Sequence, residues 1–431
     1  MAIKPFQLDE DDVAMQRRIN DMLDWGLLLA VIGLLGIGLT SIYSAAYGLG
    51  SDAIFRRQIL FAIVGIAGGV GMFFIPERWI NDLAYPLYVI GILLLAAVLT
   101  PLGHVVNGQR CWIQIGSFSF QPSELAKLTT LIAVAKYTDR KGFSIRTLRD
   151  LAWVALLFLF PVGLIMLQPD TGSATVFFAM ALGVFLWSGG DLFVIYALIS
   201  MPFVAIASLY GLLFDNMLWF AAVSALFCLG TYLFRRTLTA SILACLIVVG
   251  IGFAVQPAFN KLEPYQKKRL ITLFEPERNP RGEGYHVIQS ILAVGSGGIT
   301  GKGFLKGTQT QLRYIPEQWT DFIFCVPTEE FGFFGGMVVI TLLGFVAVRS
   351  AGIAASAKTS FSSVIAIGFA SLLLFHTTVN IGMAVGLFPV MGIPLPFLSA
   401  GGTALIANVA IVGLLLNMYR QRRRRAALWH A

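Results

Sequence analysis

The sequence predicts an all-α, polytopic transmembrane protein, and three observations carry that prediction. First, 57% of the 431 residues are hydrophobic and only 13% charged, with a mean hydropathy of +0.78; a soluble domain carries about a quarter charged residues. Second, apolar runs of roughly 17–25 residues recur from end to end, each long enough to cross a bilayer. Third, with the N-terminus in the cytoplasm, the Lys and Arg of most short connections fall on one side, as the positive-inside rule asks. A transmembrane barrel would show short alternating segments instead.

Residues 1–24 hold Asp9, Glu10, Asp11 and Asp12. They lack the basic, apolar, small-residue order of a signal peptide and read as a short amphipathic or disordered cytoplasmic tail. Twelve candidate spans follow: 25–46, 55–75, 80–100, 121–137, 151–167, 172–188, 192–210, 217–234, 238–256, 321–347, 361–386 and 399–419. Together they form a single transmembrane domain over 25–419, followed by a basic cytoplasmic tail, 420–431. Cytoplasmic connections then carry Arg140, Lys141, Arg146, Arg149, Arg235, Arg236, Arg349 and Lys358, and the tail adds Arg420 and Arg422 to Arg425. Arg56, Arg57 and Arg110 fall on the outer side, against the rule. This placement accounts for much of the net charge of +8, which therefore gives no reason to expect a nucleic-acid partner. Cys111, Cys228, Cys245 and Cys325 are too far apart in sequence to suggest a metal pair and read as isolated small hydrophobes.

Two longer segments, 101–120 and 257–320, lie on the outer side. The second carries nine Lys or Arg against five Glu and no Asp. A connection of this length without structure is unusual, and the apolar spacing of 285–298 predicts a short helix. GSGGITGKG, 295–303, reads as a flexible glycine turn. No internal repeat is visible, which disfavours transporters built from duplicated halves.

Charge inside the spans needs partners or a function, since each buried charge costs roughly 2.5–3.5 kcal/mol on insertion scales. In QPSELAK, 121–127, Pro122 suits a first helical turn and Ser123 is a candidate cap. Glu124 and Lys127 share a helix face, either neutralising one another or lining a polar cleft. In LQPDTG, Asp170 can cap a helix starting near Thr171. In YIPEQWTDFIFCVPTEEFG, 314–332, Thr320 is a candidate N-cap and Asp321 would sit in the first turn, where the helix dipole favours an acid. Asp321 also stands at the outer membrane edge after a large polar loop, where a general base could serve a lipid-linked substrate. Glu329 and Glu330, deeper in the helix, are expected to pair with a neighbouring helix or line an inner cavity, and Pro327 to kink it. Pro389, Pro394 and Pro396 within 380–402 predict a re-entrant or broken segment facing the same cleft. Asn380 and Ser399 are its polar members; Asn408 lies deeper and would join helices.

On these motifs the chain resembles the SEDS family (shape, elongation, division and sporulation) of peptidoglycan glycosyltransferases. The resemblance runs from Asp24 to about Tyr419 through DWGLLL…IYSA, GQRCWIQIG…FQPSELAKL, LQPDTG, GYHVIQS…GSGGITGKGFLKGTQTQL, IPEQWTDFIF…TEEFG and NIGM…FPVMGIPLPFLSAGG. The 301–317 run resembles the rod-shape elongation type more than the division type. The resemblance places the catalytic aspartate at Asp321. It places family residues at Arg110, Trp112, Glu124, Lys127 and Lys302; with Gln309, Glu317, Thr320, Asn380 and Ser399 from the same motifs they make up the expected substrate-binding or site-supporting set, and Asp170, Glu329 and Glu330 are taken as structural polar groups. Two departures stand out. The family usually has ten spans, so a surplus pair lies within 190–256; and Pro327 and Thr328 stand where alanine-like residues are common.

The resemblance implies polymerisation of lipid II, in the bacterial cytoplasmic membrane, into β-1,4-linked glycan for elongation and rod shape. Its implied partners are the growing strand, a class B penicillin-binding protein and other elongation-complex membrane proteins. No cofactor is required by the reading; a divalent cation, Mg2+ or Mn2+, is the one that its diphosphate chemistry would accommodate. A lipid II flippase is the alternative, since broken helices and intramembrane charge also suit transport. A scaffold that only recruits wall enzymes is a third class.

Overall fold

The structure, a computed structural model, describes residues 23–47, 52–106, 109–116, 118–234, 237–262, 264–274, 283–316 and 318–427. The expected tail over residues 1–22, Arg235, Arg236 and Glu317 lie outside the described residues.

Each anticipated span falls on a helix. In chain order these are α1 (Trp25–Tyr47), α2 (Ala53–Phe74), short α3 (Glu77–Asp82), α4 (Ala84–Val98), α5 (Pro122–Thr138), α6 (Leu148–Leu167) and α7 (Thr171–Trp187). There follow α8 (Leu192–Leu213), α9 (Leu218–Tyr232), α10 (Leu238–Lys261), α11 (Pro264–Phe274), α12 (Glu283–Ser296), α13 (Thr308–Gln311), α14 (Cys325–Ser356), α15 (Ser360–Ala384) and α16 (Gly402–Ala427). By length and composition α1, α2, α6, α8, α10, α14, α15 and residues 402–421 of α16 can cross a membrane, and α4, α7 and α9 are shorter apolar helices. The chain is a multi-pass membrane protein.

Some boundaries differ from expectation. The run 80–100 divides at Leu83 into α3 and α4. α16 continues to Ala427, so much of the expected tail extends the last helix. Helix α12 covers 283–296, close to the short helix expected over 285–298. The class is not purely helical. Within 101–120 the chain forms β1 (Gly103–Val106), β2 (Gln109–Ile115) and β3 (Phe118–Phe120), an antiparallel meander with Val106 opposite Gln109 and Ile113 opposite Phe120. Alternation along β2 buries Cys111 and leaves its neighbours Arg110 exposed and Trp112 partly exposed. Burial pushes the Cys111 thiol up to about 12, so it stays protonated and inert.

Cross-links sort the connections to two ends. At one end Arg349 pairs with Asp24, which also caps α1 through Leu27 N. There too Thr359 donates to Glu77, and Arg420 to the Phe73 carbonyl. At the other, outer end Gln58 reaches the Ser399 carbonyl, Gln121 N donates to Thr403, and Gln318 to the Ala45 carbonyl. Asp24, Arg140, Arg349 and Lys358 thus lie opposite the sheet and the 283–320 segment, as the charge pattern predicts.

The core packs α1, α2, α5, α7, α14, α15 and α16 together. Burial reaches 78% along the span of α16 but 17% along that of α10. Helices α8, α9 and α10, which cover the 190–256 stretch, pack on one another as a peripheral lobe. Ser208 donates to the Gly252 carbonyl and Tyr196 to the Phe227 carbonyl within it.

Candidate active site

The YIPEQWTDFIF stretch does not begin a helix at Thr320. Residues 318–324 form turns and α14 starts at Cys325. The cap role expected for Thr320 and the first-turn role for Asp321 are therefore both replaced. Side chains hold the turn in place. Ser399 Oγ donates to the Thr320 carbonyl at 2.6 Å, Asn380 Nδ2 to the Asp321 carbonyl at 2.9 Å, and Ala400 N to the Trp319 carbonyl at 2.7 Å. Asp321 is half-buried at the outer end. Its carboxylate faces Gly392: a Cβ added there would lie 3.8 Å from Oδ2.

Gly392 belongs to the broken segment that the prolines predict. Helix α15 stops at Ala384, and 385–401 run without helix to α16. The carbonyls of such a segment have no helical partner, and buried ones must find another. Asn380 Nδ2 supplies one bond to the Ile393 carbonyl at 2.8 Å, and Leu395 N donates to Ser399 Oγ at 2.7 Å. Asn380 thus ties the Asp321 turn to the broken segment, and Ser399 does the same one turn away.

A cavity of about 290 Å³ is lined by Arg57, Gln58, Phe61, Trp112, Trp319, Thr320 and Ala400 to Gly402; it reaches the Asp321 turn at Thr320, and Asp321 itself is not among the residues that line it. Trp112 reaches it because β2 carries the ring from the sheet toward α2. Arg110 does not line it; that side chain is exposed, with Nη1 3.5 Å from the Leu99 carbonyl. The positive-inside exception Arg57 is therefore a cavity wall. Its neighbour Arg56 is occupied by Asp52 at 3.5 Å.

Glu124 and Lys127 form a buried ion pair at 2.8 Å, with 4% and 3% of their side chains exposed. The choice left open by their spacing resolves to mutual neutralisation with one further partner: Lys127 Nζ lies 3.4 Å from His376 Nε2 on α15. Ser123 does not cap α5. The cap residue is Gln121, without a side-chain bond, and Ser123 Oγ meets Ser173 Oγ at 3.3 Å. Pro122 does occupy the first turn. Asp170 caps α7 as expected, accepting from Ser173 N at 3.0 Å and Ser173 Oγ at 2.7 Å, with Gln121 Nε2 at 3.3 Å.

Glu329 and Glu330 are both buried and bonded to the loop before α14, Glu330 to a neighbouring helix as well. Glu329 accepts from Lys302 Nζ at 2.7 Å, Gln309 N at 2.8 Å, and Thr310 N and Oγ1 at 2.9 and 2.7 Å. Glu330 accepts from Leu305 N at 3.1 Å and, on the neighbouring α1, from Ser44. The GKGFLKGTQTQ run is thereby clamped to the start of α14. The helix break expected at Pro327 lies instead at Gly332, whose φ of 66° and ψ of −154° are non-helical. Gly332 can adopt that conformation because it lacks a Cβ, and the break lets Phe333 N reach the Gly298 carbonyl at 2.8 Å.

Thr320, Asn380 and Ser399 therefore gather at the Asp321 turn, and Trp112 lines the cavity that this turn borders at Thr320. Lys302 and Gln309 belong to the Glu329 clamp, and Glu124 with Lys127 to a buried pair under the broken segment. Sequence reasoning missed Arg57, Gln58, Trp319 and His376 as members of this assembly. The signals were present: Arg57 broke the charge rule, and His376 is a lone imidazole in an apolar span. Among the described residues no group of three or more His, Cys, Asp or Glu is arranged to hold a metal ion.

Residues 21–219 and 217–424 match the family described as cell cycle protein, FtsW/RodA/SpoVE. The chain is 34% identical over 402 residues to peptidoglycan glycosyltransferase MrdB of Escherichia coli K12, covering 93% of this chain and 94% of that one. It is 32% identical to peptidoglycan glycosyltransferase RodA of Treponema pallidum, covering 93% and 98%. It is 35% identical to stage V sporulation protein E of Bacillus subtilis, covering 92% and 97%. Among solved structures, the rod shape determining protein RodA of Thermus thermophilus superposes with a TM-score of 0.61 at 29% identity, covering 93% and 97%. A chain from a study of "structural coordination of polymerization and crosslinking by a peptidoglycan synthase complex" reaches 0.69 at 33%, covering 93% and 98%. Matched by the family over residues 21–424 and by these relatives over more than nine-tenths of its length, the chain belongs to the FtsW/RodA/SpoVE (SEDS) family and is a RodA-like member of it.

Proposed function

We propose that this chain is an inverting peptidoglycan glycosyltransferase that polymerises lipid II, with Asp321 as its general base. The observation that carries the reading is the placement of Asp321: a half-buried carboxylate facing Gly392 of the broken segment, on a turn whose backbone is fixed by Asn380 and Ser399 and whose preceding residue, Thr320, lines a cavity. A base held this way can take a proton without first reorganising its own support. In the proposed step Asp321 removes the proton of the acceptor GlcNAc 4-hydroxyl. That oxygen bonds to the anomeric carbon of the donor MurNAc, and the carbon–oxygen bond to undecaprenyl diphosphate breaks as the diphosphate leaves. An α-linked donor becomes a β-1,4 product in one displacement, with no covalent enzyme intermediate.

Arg57 supports the same reading, because a guanidinium on the wall of a largely apolar cavity suits a lipid diphosphate. Trp112 and Trp319 offer faces on which a sugar can stack. Against the transport reading, Glu329 is taken up by the loop before α14 and Glu330 by that loop and by Ser44 of α1. A class B penicillin-binding protein is the proposed partner, and the bacterial cytoplasmic membrane the proposed location. Polymerisation of lipid II by the chain reconstituted in proteoliposomes, with its transpeptidase, tests the proposal. Asp321→Asn should lose product by about 10²- to 10⁴-fold, the usual reach of a general base, with an unchanged thermal midpoint; full activity in that variant would sink it.

A further inference from the structure

We infer that His376 is a positioning residue: it couples the buried Glu124–Lys127 pair to the Pro394 carbonyl and so sets the register of the broken segment against Asp321. The inference rests on the reading of Asp321 as the base but deepens it on a separate set of contacts.

Three observations carry it. First, the bonds assign the tautomer. Lys127 has donors only, so His376 Nε2, 3.4 Å away, must accept. Nδ1 then holds the proton and donates to the Pro394 carbonyl at 2.9 Å. Second, His376 and Asn380 stand four residues apart on α15, on one helix face. Together they hold two successive carbonyls of the broken segment, Pro394 by His376 and Ile393 by Asn380, and Asn380 also holds the carbonyl of Asp321. Third, both side chains are buried, with 2% and 0% exposure. At such sites every polar group needs its partner, and a lost one is not replaced by bulk water.

The order of forces follows. The Glu124–Lys127 pair is fixed to α5. It orients the imidazole, the imidazole fixes Pro394, and two residues back Gly392 faces the Asp321 carboxylate. Removing the imidazole frees the Pro394 carbonyl and leaves Lys127 with Glu124 alone. The broken segment can then slide while Asp321 itself stays intact.

The test compares His376→Phe, which can make neither bond, with His376→Gln, whose amide can accept from Lys127 and donate to Pro394. His376→Asn, one methylene shorter, serves as a milder loss if the Phe variant is not recovered folded. Two readouts are taken on the full chain in proteoliposomes. Hydrogen exchange over 389–399 reports the segment independently of activity, and lipid II polymerisation is resolved into kcat and KM. Phe, or Asn in its place, should raise exchange of 389–399 at least tenfold and lower kcat about tenfold with KM changed less than threefold. Gln should recover most of both. Unaltered exchange in the Phe or Asn variant, or a fall in kcat that Gln does not recover, would overturn the inference. Activity retained by Asp321→Asn would defeat the base reading alone, because the exchange comparison stands without it.

Discussion

The core around α14 to α16 and the lobe of α8 to α10 are both apolar and both membrane-spanning by length, yet they treat polarity differently. The core buries Glu124, Lys127, His376, Asn380, Glu329 and Glu330; Glu124 is paired with Lys127 on its own helix, and the others each bond another element. The lobe buries Ser200, Ser208, Ser224 and Thr231 and no charged side chain among the described residues. Its bonds go to carbonyls of its own helices, such as Gly252 and Cys228. A charge is expensive away from water, so its presence marks where the chain holds non-helical backbone in a fixed shape. The lobe has no such backbone to hold. Its apolar outer faces, including Leu226, Leu229, Leu246 and Phe253, need only a hydrocarbon solvent.

The contrast can be broken by substitution. The largest effect is expected at Lys127. Lys127→Met strands Glu124 and removes the donor to His376, and breaking a buried pair in this way costs about 3–5 kcal/mol. Thermal unfolding in detergent should show a large fall in midpoint, with part of it recovered in Glu124→Gln/Lys127→Met. A single variant as stable as the parent would erase the distinction between core and lobe. Next is Arg57→Gln, at the rim of the cavity. It should raise the KM for lipid II about tenfold, which is roughly 1.4 kcal/mol, and leave the folded fraction unchanged. An unchanged KM would remove Arg57 from the substrate wall. The smallest effect belongs to the lobe. Ser208→Ala removes one buried bond between helices, worth about 0.6 kcal/mol in membrane proteins, and polymerisation per folded molecule should not change.

What the sequence revealed follows the same division. Spans were legible because membrane helices satisfy their own backbone and announce themselves by length and composition. Asp170 was legible as a cap because capping is local. Asp321 was legible as an acid at the outer edge, but its support was not, since Asn380 and Ser399 reach it across 59 and 79 residues of chain. Glu330 does pair with a neighbouring helix, through Ser44 of α1, whereas the partners of Glu329 lie in a loop some twenty residues back, of which a lone helix gives no sign. The sheet was missed although Asn107-Gly108 sits between alternating residues, a strong hairpin signal in sequence; hydropathy had already assigned the segment as a connection. Arg57 was noticed and set aside as an exception to a charge rule, when the exception was the information.

Where the clamped loop meets α14, main chain lies directly against main chain. A methyl group added to Gly301 would sit 2.1 Å from the Glu330 carbonyl oxygen, and one added to Gly332 would sit 2.4 Å from Gly301 N. Obstacles of this kind cannot rotate aside as a side chain can. The two strands of chain must therefore be tailored together: an enlargement at either glycine has no neighbour that can yield, and a compensating change would have to rebuild the path of the backbone itself.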